Sequence, residues 1–235
     1  MRSFQLFTFF FYIGMLSFVD AGWAATLSGS VRFEGAAPEA QRLDMAADPT
    51  CAATHSGGAA SEEVVVNPNG TLKNVFIYVK KGLGEQVFDP PKDPVILDQK
   101  GCRYIPRVFG IQTGQPIQIV NSDATLHNVH SVVTQNKEFN LGMPIQGMKL
   151  TKKFDKPEIM AKFKCDVHPW MAAYAGVLRH PFFSVTNDEG SFEIKNLPVG
   201  NYVVETWHEK YGLQSHKVSI DSAEENKVIE LRYSA

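Results

Sequence analysis

The sequence predicts an all-β protein, most simply two packed β-sandwiches, and three observations lead there. Short runs that alternate apolar and polar residues recur along the chain, separated by Gly, Pro, Asn and Asp clusters. No segment keeps an apolar 3.6-residue period over three turns, so no long helix is expected. No internal repeat is visible.

Taken in order, Ala25 to Phe33 reads as a strand, and Glu63 to Val66 and Lys73 to Lys80 as two more around the Asn-Pro-Asn-Gly turn at 67–70. In the last of these Val75, Ile77 and Val79 share one face. The breaker cluster Asp89-Pro-Pro-Lys-Asp-Pro94 is a natural module boundary. Beyond it Val95 to Leu97, Gly101 to Val108, Pro116 to Val120, Val129 to Val133 and Ile159 to Cys165 are strand-like. The tail adds Ser191 to Ile194, Tyr202 to His208 and Lys227 to Tyr233 between Asp-Glu-Gly and Pro-Val-Gly turns.

Composition narrows the classes. The 235 residues are 44% hydrophobic and 20% charged, with 23 Lys and Arg against 25 Asp and Glu for a net charge of −2. That apolar content excludes a disordered chain. Basic residues never run longer than a dipeptide, so the electrostatic footprint of a nucleic-acid binder is missing.

Residues 1–24 read as an export signal. Arg2 opens it, Phe4 to Phe18 is mostly apolar and aromatic, and Gly22 and Ala24 fit the small-residue positions before cleavage. The apolar run is shorter than the roughly 20 residues a membrane span needs. The expected location is periplasmic or secreted, with no stable membrane insertion after cleavage.

Export changes how the cysteines read. Cys51, Cys102 and Cys165 are odd in number, and an oxidising compartment leaves few free thiols. Metal coordination is the usual protection for the third. Parity then leaves Cys51 and Cys102 as a disulfide candidate, closing a loop of about 50 residues for on the order of 3–4 kcal/mol. The competing reading is a second metal site from Cys51, His55 and Cys102; only one His accompanies the pair, which favours the disulfide.

The chemistry concentrates in two stretches. Phe163-Lys-Cys-Asp-Val-His-Pro-Trp-Met171 places Cys165, His168 and Met171 at equal spacings of three. Alternation along Ile159, Ala161, Phe163 and Cys165 turns the thiol inward. Thiolate, imidazole and thioether are a soft set that suits copper in two oxidation states. Upstream, Ile119-Val-Asn-Ser-Asp-Ala-Thr-Leu-His-Asn-Val-His130 offers a second imidazole from another strand. His127, at the mouth of the strand that begins near Val129, is favoured over His130, which reads as a packed or surface residue.

These residues resemble a cupredoxin, most closely its amicyanin branch, which carries the same short Cys-x-x-His-x-x-Met loop with Pro after the His and the same His-Asn-Val-His upstream. The resemblance covers roughly 95–180. It implies one copper ion, cycling between Cu(I) and Cu(II), held by His127, Cys165 and His168 with Met171 as a weak axial ligand. It also implies that Asn128 ties the two ligand loops together.

Other readings of the same residues are weaker. A binuclear copper centre needs a second Cys in the loop, and zinc accepts thioether poorly. A nucleophilic Cys three residues from its base on one tight loop has poor geometry for attack. The plain alternative makes Cys165 and Met171 core residues and His168 a surface one.

Val185-Thr-Asn-Asp-Glu-Gly-Ser-Phe-Glu-Ile-Lys-Asn-Leu-Pro-Val-Gly-Asn-Tyr202 is similar to the carboxypeptidase-regulatory-like, or transthyretin-like, β-sandwich, and Gly29-Ser-Val-Arg-Phe-Glu-Gly35 resembles that family's opening strand. The expected organisation is a signal (1–24), an N-terminal β segment (25–94) that pairs with the C-terminal sandwich, a cupredoxin-like domain (95–180) and the transthyretin-like sandwich (181–235). Trp207, His208 and Glu209 read as packing and strand-end residues.

The expected function is one-electron transfer rather than catalysis, with a periplasmic c-type cytochrome or oxidoreductase as partner. On this reading His168, with Pro169, Trp170 and Met171, forms an apolar docking rim facing solvent. The rivals are a copper chaperone or store using Cys165, Met171, Met143, Met148 and Met160, and a non-catalytic adhesion or carbohydrate-binding sandwich.

Overall fold

The computed structural model describes residues 25–235; the expected export signal lies outside the described residues. Strands dominate and pair into two sandwiches. Strand labels follow chain order.

In the first sandwich one sheet is β15 (Ser191–Leu197), β1 (Ala25–Glu34) and β18 (Asn226–Ser234). The other is β14 (Phe183–Val185), β4 (Phe76–Lys81), β16 (Gly200–His208) and β17 (Gly212–Ile220). Chain ends far apart in sequence therefore share sheets: β1 runs parallel to β18 and antiparallel to β15. Leu27, Val31, Val204 and Leu231 meet Val75, Ile77 and Val79 in its core.

The second sandwich uses only the intervening chain. One sheet is β10 (Phe139–Met143), β9 (His127–Val132), β12 (Glu158–Lys164), β13 (Ala172–Leu178) and β7 (Val108–Gln112). The facing sheet is β11 (Lys149–Lys153), β8 (Pro116–Asn121), β5 (Val95–Gln99) and β6 (Tyr104–Ile105). Ile117, Ile119, Val129, Phe154 and Phe163 fill the space between them.

The sandwiches are joined through β4, which is buried on both faces. Ile77 and Val79 enter the first core, while Phe76 and Tyr78 enter a joint with Val108, Tyr174 and Leu178. Two glycines admit the rings: a Cβ on Gly176 would lie 2.2 Å from the Phe76 ring, and one on Gly110 would lie 2.3 Å from Phe183. Arg107 and Glu209 cross the same joint at 2.7 Å, both largely shielded from solvent. Trp207 packs on Tyr174, His208 is buried against Tyr211 and Tyr233, and Glu209 accepts from the Tyr174 hydroxyl, so these three are structural.

Several strand expectations are corrected. Glu63 to Val66 forms no strand; Val66 makes a single bridge to Leu72. The run Gly101 to Val108 is broken into β6 and β7 on either side of Pro106, which has no N–H to donate to a ladder. Ile159 departs from the inward row because β12 is bulged beside Met160, whose φ is 59°. From Ala161 onward the alternation holds, and Phe163 and Cys165 reach the core.

Between β1 and β4 the chain makes an excursion built of the ribbon β2 (Arg42–Leu43) with β3 (Ala59–Ala60) and the helix α1 (Pro49–Thr54). Asp48 caps α1 by accepting from the backbone N–H of Thr50 and Cys51, and Pro49 occupies the first turn, where its missing N–H costs nothing. Cys51 is the buried residue of this helix and is bonded to Cys102.

Candidate metal centre

Two strand ends and one loop bring the soft donors together. Cys165 follows directly on β12, whose alternation turns the thiol inward. The loop then folds back: the Met171 N–H donates to the His168 carbonyl at 2.9 Å and the Cys165 N–H to the Met171 carbonyl at 3.3 Å. This closure aims the His168 N–H at the Cys165 sulfur, 3.4 Å away. His127 opens β9, which pairs with β12.

The result is a buried cluster in which His127, Cys165 and His168 offer ligand atoms all within 4.8 Å of one another. The two Nδ1 atoms are 2.9 Å apart, and Cys165 Sγ is 3.8 Å from His168 Nδ1. His127 is fully shielded and His168 is 2% exposed. Met171 is buried in the same core as Cys165.

Each imidazole is held from behind by a carboxylate. His127 Nε2 donates to Asp123 at 2.9 Å and His168 Nε2 to Asp48 at 3.0 Å. A neutral ring that donates through Nε2 keeps its lone pair on Nδ1, the atom facing the sulfur. Each carboxylate also grips one half-cystine. Asp123 accepts from the N–H groups of Gly101 (2.8 Å) and Cys102 (2.7 Å). Asp48 accepts from Cys51 N–H at 3.2 Å and from the Thr125 hydroxyl at 2.7 Å. The disulfide thus joins the two loops that orient the two rings.

Electrostatics follow from these contacts. Burial opposes the charged form of His127, but the hydrogen bonds to Asp123 and Cys165 outweigh it and push its pKa up to about 9. Burial alone would raise the Cys165 thiol; the bond from His127 and backbone N–H groups of Asn128, His168 and Val167 bring it down instead. For His168 burial wins, helped by the neighbouring charge of His127, and its pKa falls. Asp48, stabilised as an anion by Thr125, Cys51 and His168 against the cost of burial, drops to about 2.

Asn128 spans the two ligand segments. Its side-chain oxygen accepts from the Asp166 N–H at 2.6 Å, and its amide donates to Asn140 at 2.6 Å and Asp166 at 3.3 Å. Tyr104 adds a second tie by donating to the carbonyls of Asn128 (2.6 Å) and Lys164 (3.1 Å). His130 points away, between Asp166 and Glu138.

The expected solvent-facing rim is not present. His168 is covered by Asp48, by Cys51 at 3.7 Å and by the Trp170 ring at 5.1 Å. Trp170 donates its indole N–H to the Cys102 carbonyl at 3.0 Å and packs into the small core of Met45, Cys51, Ala59 and Cys102. Met171 is internal, leaving Asp166, Val167 and Pro169 as the exposed part of the loop. The excursion that carries α1 accounts for the difference, because nothing in the loop's own sequence announces what packs over it.

His55 Nε2 donates to the Gly101 carbonyl at 2.7 Å. With Cys51 and Cys102 bonded to each other, the alternative Cys51, His55 and Cys102 metal site is not formed. Of the methionines of the copper-storage reading, Met143 and Met148 share the core of Cys165 and Met171, Met143 opposite His127 in register with its sulfur accepting from Gln99 at 2.9 Å, whereas Met160 lies at the sandwich joint.

Asp48 and Asp123 are the site residues that sequence reasoning missed. The signals were present as a helix cap, Asp48-Pro-Thr-Cys51, and as Asp123 four residues before His127.

No protein-family model and no curated protein matches the chain. Among solved structures, it is similar to a Cu-containing nitrite reductase from Thermus scotoductus SA-01, with 22% identity over 42% of this chain and a TM-score of 0.35; the match spans a quarter (25%) of that enzyme. A purple cupredoxin from Nitrosopumilus maritimus matches at 21% identity over 35% of this chain and 98% of its own length, with a TM-score of 0.31. The Cu(I) form of a methionine-to-alanine amicyanin mutant matches at 19% identity over 44% of this chain and 98% of its own, with a TM-score of 0.33.

Proposed function

We propose that this is an exported copper protein holding one ion on His127, Cys165 and His168, with Met171 as a weak fourth ligand, and that it passes single electrons to or from a periplasmic redox protein such as a c-type cytochrome or oxidoreductase. The observation that carries the reading is the convergence of two imidazole Nδ1 atoms on one buried thiol whose pKa is already lowered.

The donor set fits the metal. One thiolate and two imidazoles with a thioether in the same core match the soft, low-coordinate preference of copper and supply too few hard oxygens for calcium or magnesium. Bound copper supplies the one-electron couple. The chain's own part is to hold the ligands still: Asp123 and Asp48 fix the ring nitrogens, the loop hydrogen bonds fix Cys165, and burial keeps water out. A ligating thiolate and a ligating imidazole nitrogen are both unprotonated, so an incoming metal displaces protons from Cys165 and His127.

A partner then meets the protein near exposed Val167 and Pro169 rather than at a bare imidazole edge, through the small contact typical of transient redox encounters. The test is a visible absorption spectrum after adding Cu(II), with Cys165→Ser beside it. An intense sulfur-to-copper charge-transfer band lost in the variant supports the reading; a pale spectrum identical in both overturns it.

A further inference from the structure

Of the three groups of metal-capable side chains among the described residues, two include a sulfur of the disulfide: Asp48, Cys51 and His168, and Cys102, Asp123 and His127. In each group the ligand atoms lie within 4.8 Å of one another. The disulfide therefore sits where both imidazole Nε2 edges and two carboxylates already converge, on the far side of the His168 ring from Cys165. We propose that reduction of Cys51–Cys102 opens a second soft-metal site, in which the two freed thiolates bind monovalent copper as a two-coordinate pair while His168 Nε2 keeps its proton directed at Asp48.

The chemistry balances as thiol–disulfide exchange. A dithiol reductant supplies two electrons and two protons; the Cys51–Cys102 bond breaks, the reductant's own disulfide forms, and each thiol gives up its proton to the medium when copper binds. Two thiolates select Cu(I) over harder cations, and carboxylates are poor ligands for it, so Asp48 and Asp123 remain anchors. The excursion keeps both sulfurs in place after reduction. Asp48 still holds the Cys51 N–H, Asp123 the Cys102 N–H, and His55 the Gly101 carbonyl at 2.7 Å. Arg103 adds a bond to the Ala60 carbonyl at 3.0 Å and an ion pair to Glu62 at 2.8 Å.

The inference does not require the first site to be filled, and its test separates the two. The full described chain is titrated with Cu(I) against a chromophoric Cu(I) chelator under nitrogen, once oxidised and once after dithiol reduction and removal of the reductant. The expected result is one more equivalent in the reduced form, with Cys51 and Cys102 both protected from alkylation by the added copper. Cys51→Ser with Cys102→Ser abolishes that increment. In Cys165→Ser the first equivalent is lost while the increment of one persists, so failure of the electron-transfer reading shows separately. Equal counts in the two redox states, with Cys51 and Cys102 alkylated equally with and without copper, overturn the proposal. So does an increment bound by a reduced chain that has lost its native near-ultraviolet dichroism, because the site depends on the native fold holding the two sulfurs together.

Discussion

Asp48 Oδ2 lies 3.0 Å from His168 Nε2, and the same carboxylate caps the helix that carries Cys51. A residue 120 positions away in sequence therefore sets the orientation of a candidate ligand. Asp123 does the same for His127 from only four positions away. The pair makes the site's geometry depend on a segment outside the second sandwich's own strands.

Replacing Asp48 with Asn keeps the shape but removes the charge that favours a strongly donating ring. Copper affinity is expected to fall about 10- to 100-fold, the usual cost of losing a carboxylate behind a ligating histidine. Competition with a copper chelator measures it. An unchanged affinity with an unchanged spectrum would show that Asp48 only caps α1.

The disulfide should matter for stability as well as for the cover over His168. Cys51→Ser with Cys102→Ser removes a cross-link between positions 51 residues apart and is expected to cost about 4 kcal/mol by chain entropy. Carbethoxylation of His168, followed by mass spectrometry, should quicken in parallel, since a ring 2% exposed loses its covering sulfur. The two readouts come from one protein preparation.

Gly176 is predicted to tolerate no side chain at the joint. Gly176→Ala places a methyl 2.2 Å from the Phe76 ring, in a space closed by both sandwiches. Overpacking of this kind costs typically 1–3 kcal/mol. The denaturant midpoint should drop, while Gly142→Ala, with open space around its Cβ position, should leave the midpoint near that of the parent.

Acid should weaken the loop at 134–136 through Glu158. Burial would raise this carboxyl, but N–H groups of Thr134 and Gln135 and the Asn136 side chain hold it below the ordinary 4.5. A lowered folded-state pKa contributes stability above the unfolded value and loses it as pH falls through the folded one. Glu158→Gln is therefore expected to be less stable by roughly 1.5–3 kcal/mol at neutral pH, the range for hydrogen bonds to a charged group. The gap between parent and variant should close as pH drops below about 4.5, measured by urea midpoints across the range. A gap constant with pH would rule out the charge as its source.

Arg107 and Glu209 connect the sandwiches, and removing one partner leaves the other charge largely buried. Glu209→Ala is expected to destabilise more than the double variant with Arg107→Ala, because the double change strands no charge. A double-mutant cycle on unfolding free energies checks the order.

Much of this architecture was legible in the chain. β1, β5, β8, β16 and β18 stand close to where alternation put them, because each has one apolar row and turn residues at its ends. β13 was invisible, since Ala172-Ala-Tyr-Ala-Gly-Val-Leu178 is built of small residues with weak strand preference; it is a strand because β12 and β7 flank it on both edges. β11 and β17 were missed for a related reason: polar and charged residues interrupt their apolar rows, and pairing with a neighbour decides them; β10 alternates cleanly through Phe139, Leu141 and Met143 but is only five residues long and contains Gly142.

By itself the sequence determined the all-β class, the spacing of Cys165, His168 and Met171, the upstream His127, and the parity that paired Cys51 with Cys102. These are local or arithmetic properties, carried by periodicity and by which residue types recur at what distance. Only the tertiary structure decided that Asp48 and Asp123 stand behind the two rings and that a disulfide-pinned helix covers His168. Apart from Asp123, four residues before His127, those contacts join residues far apart in sequence, and their stability comes from burial and hydrogen bonds that exist only after the chain has packed.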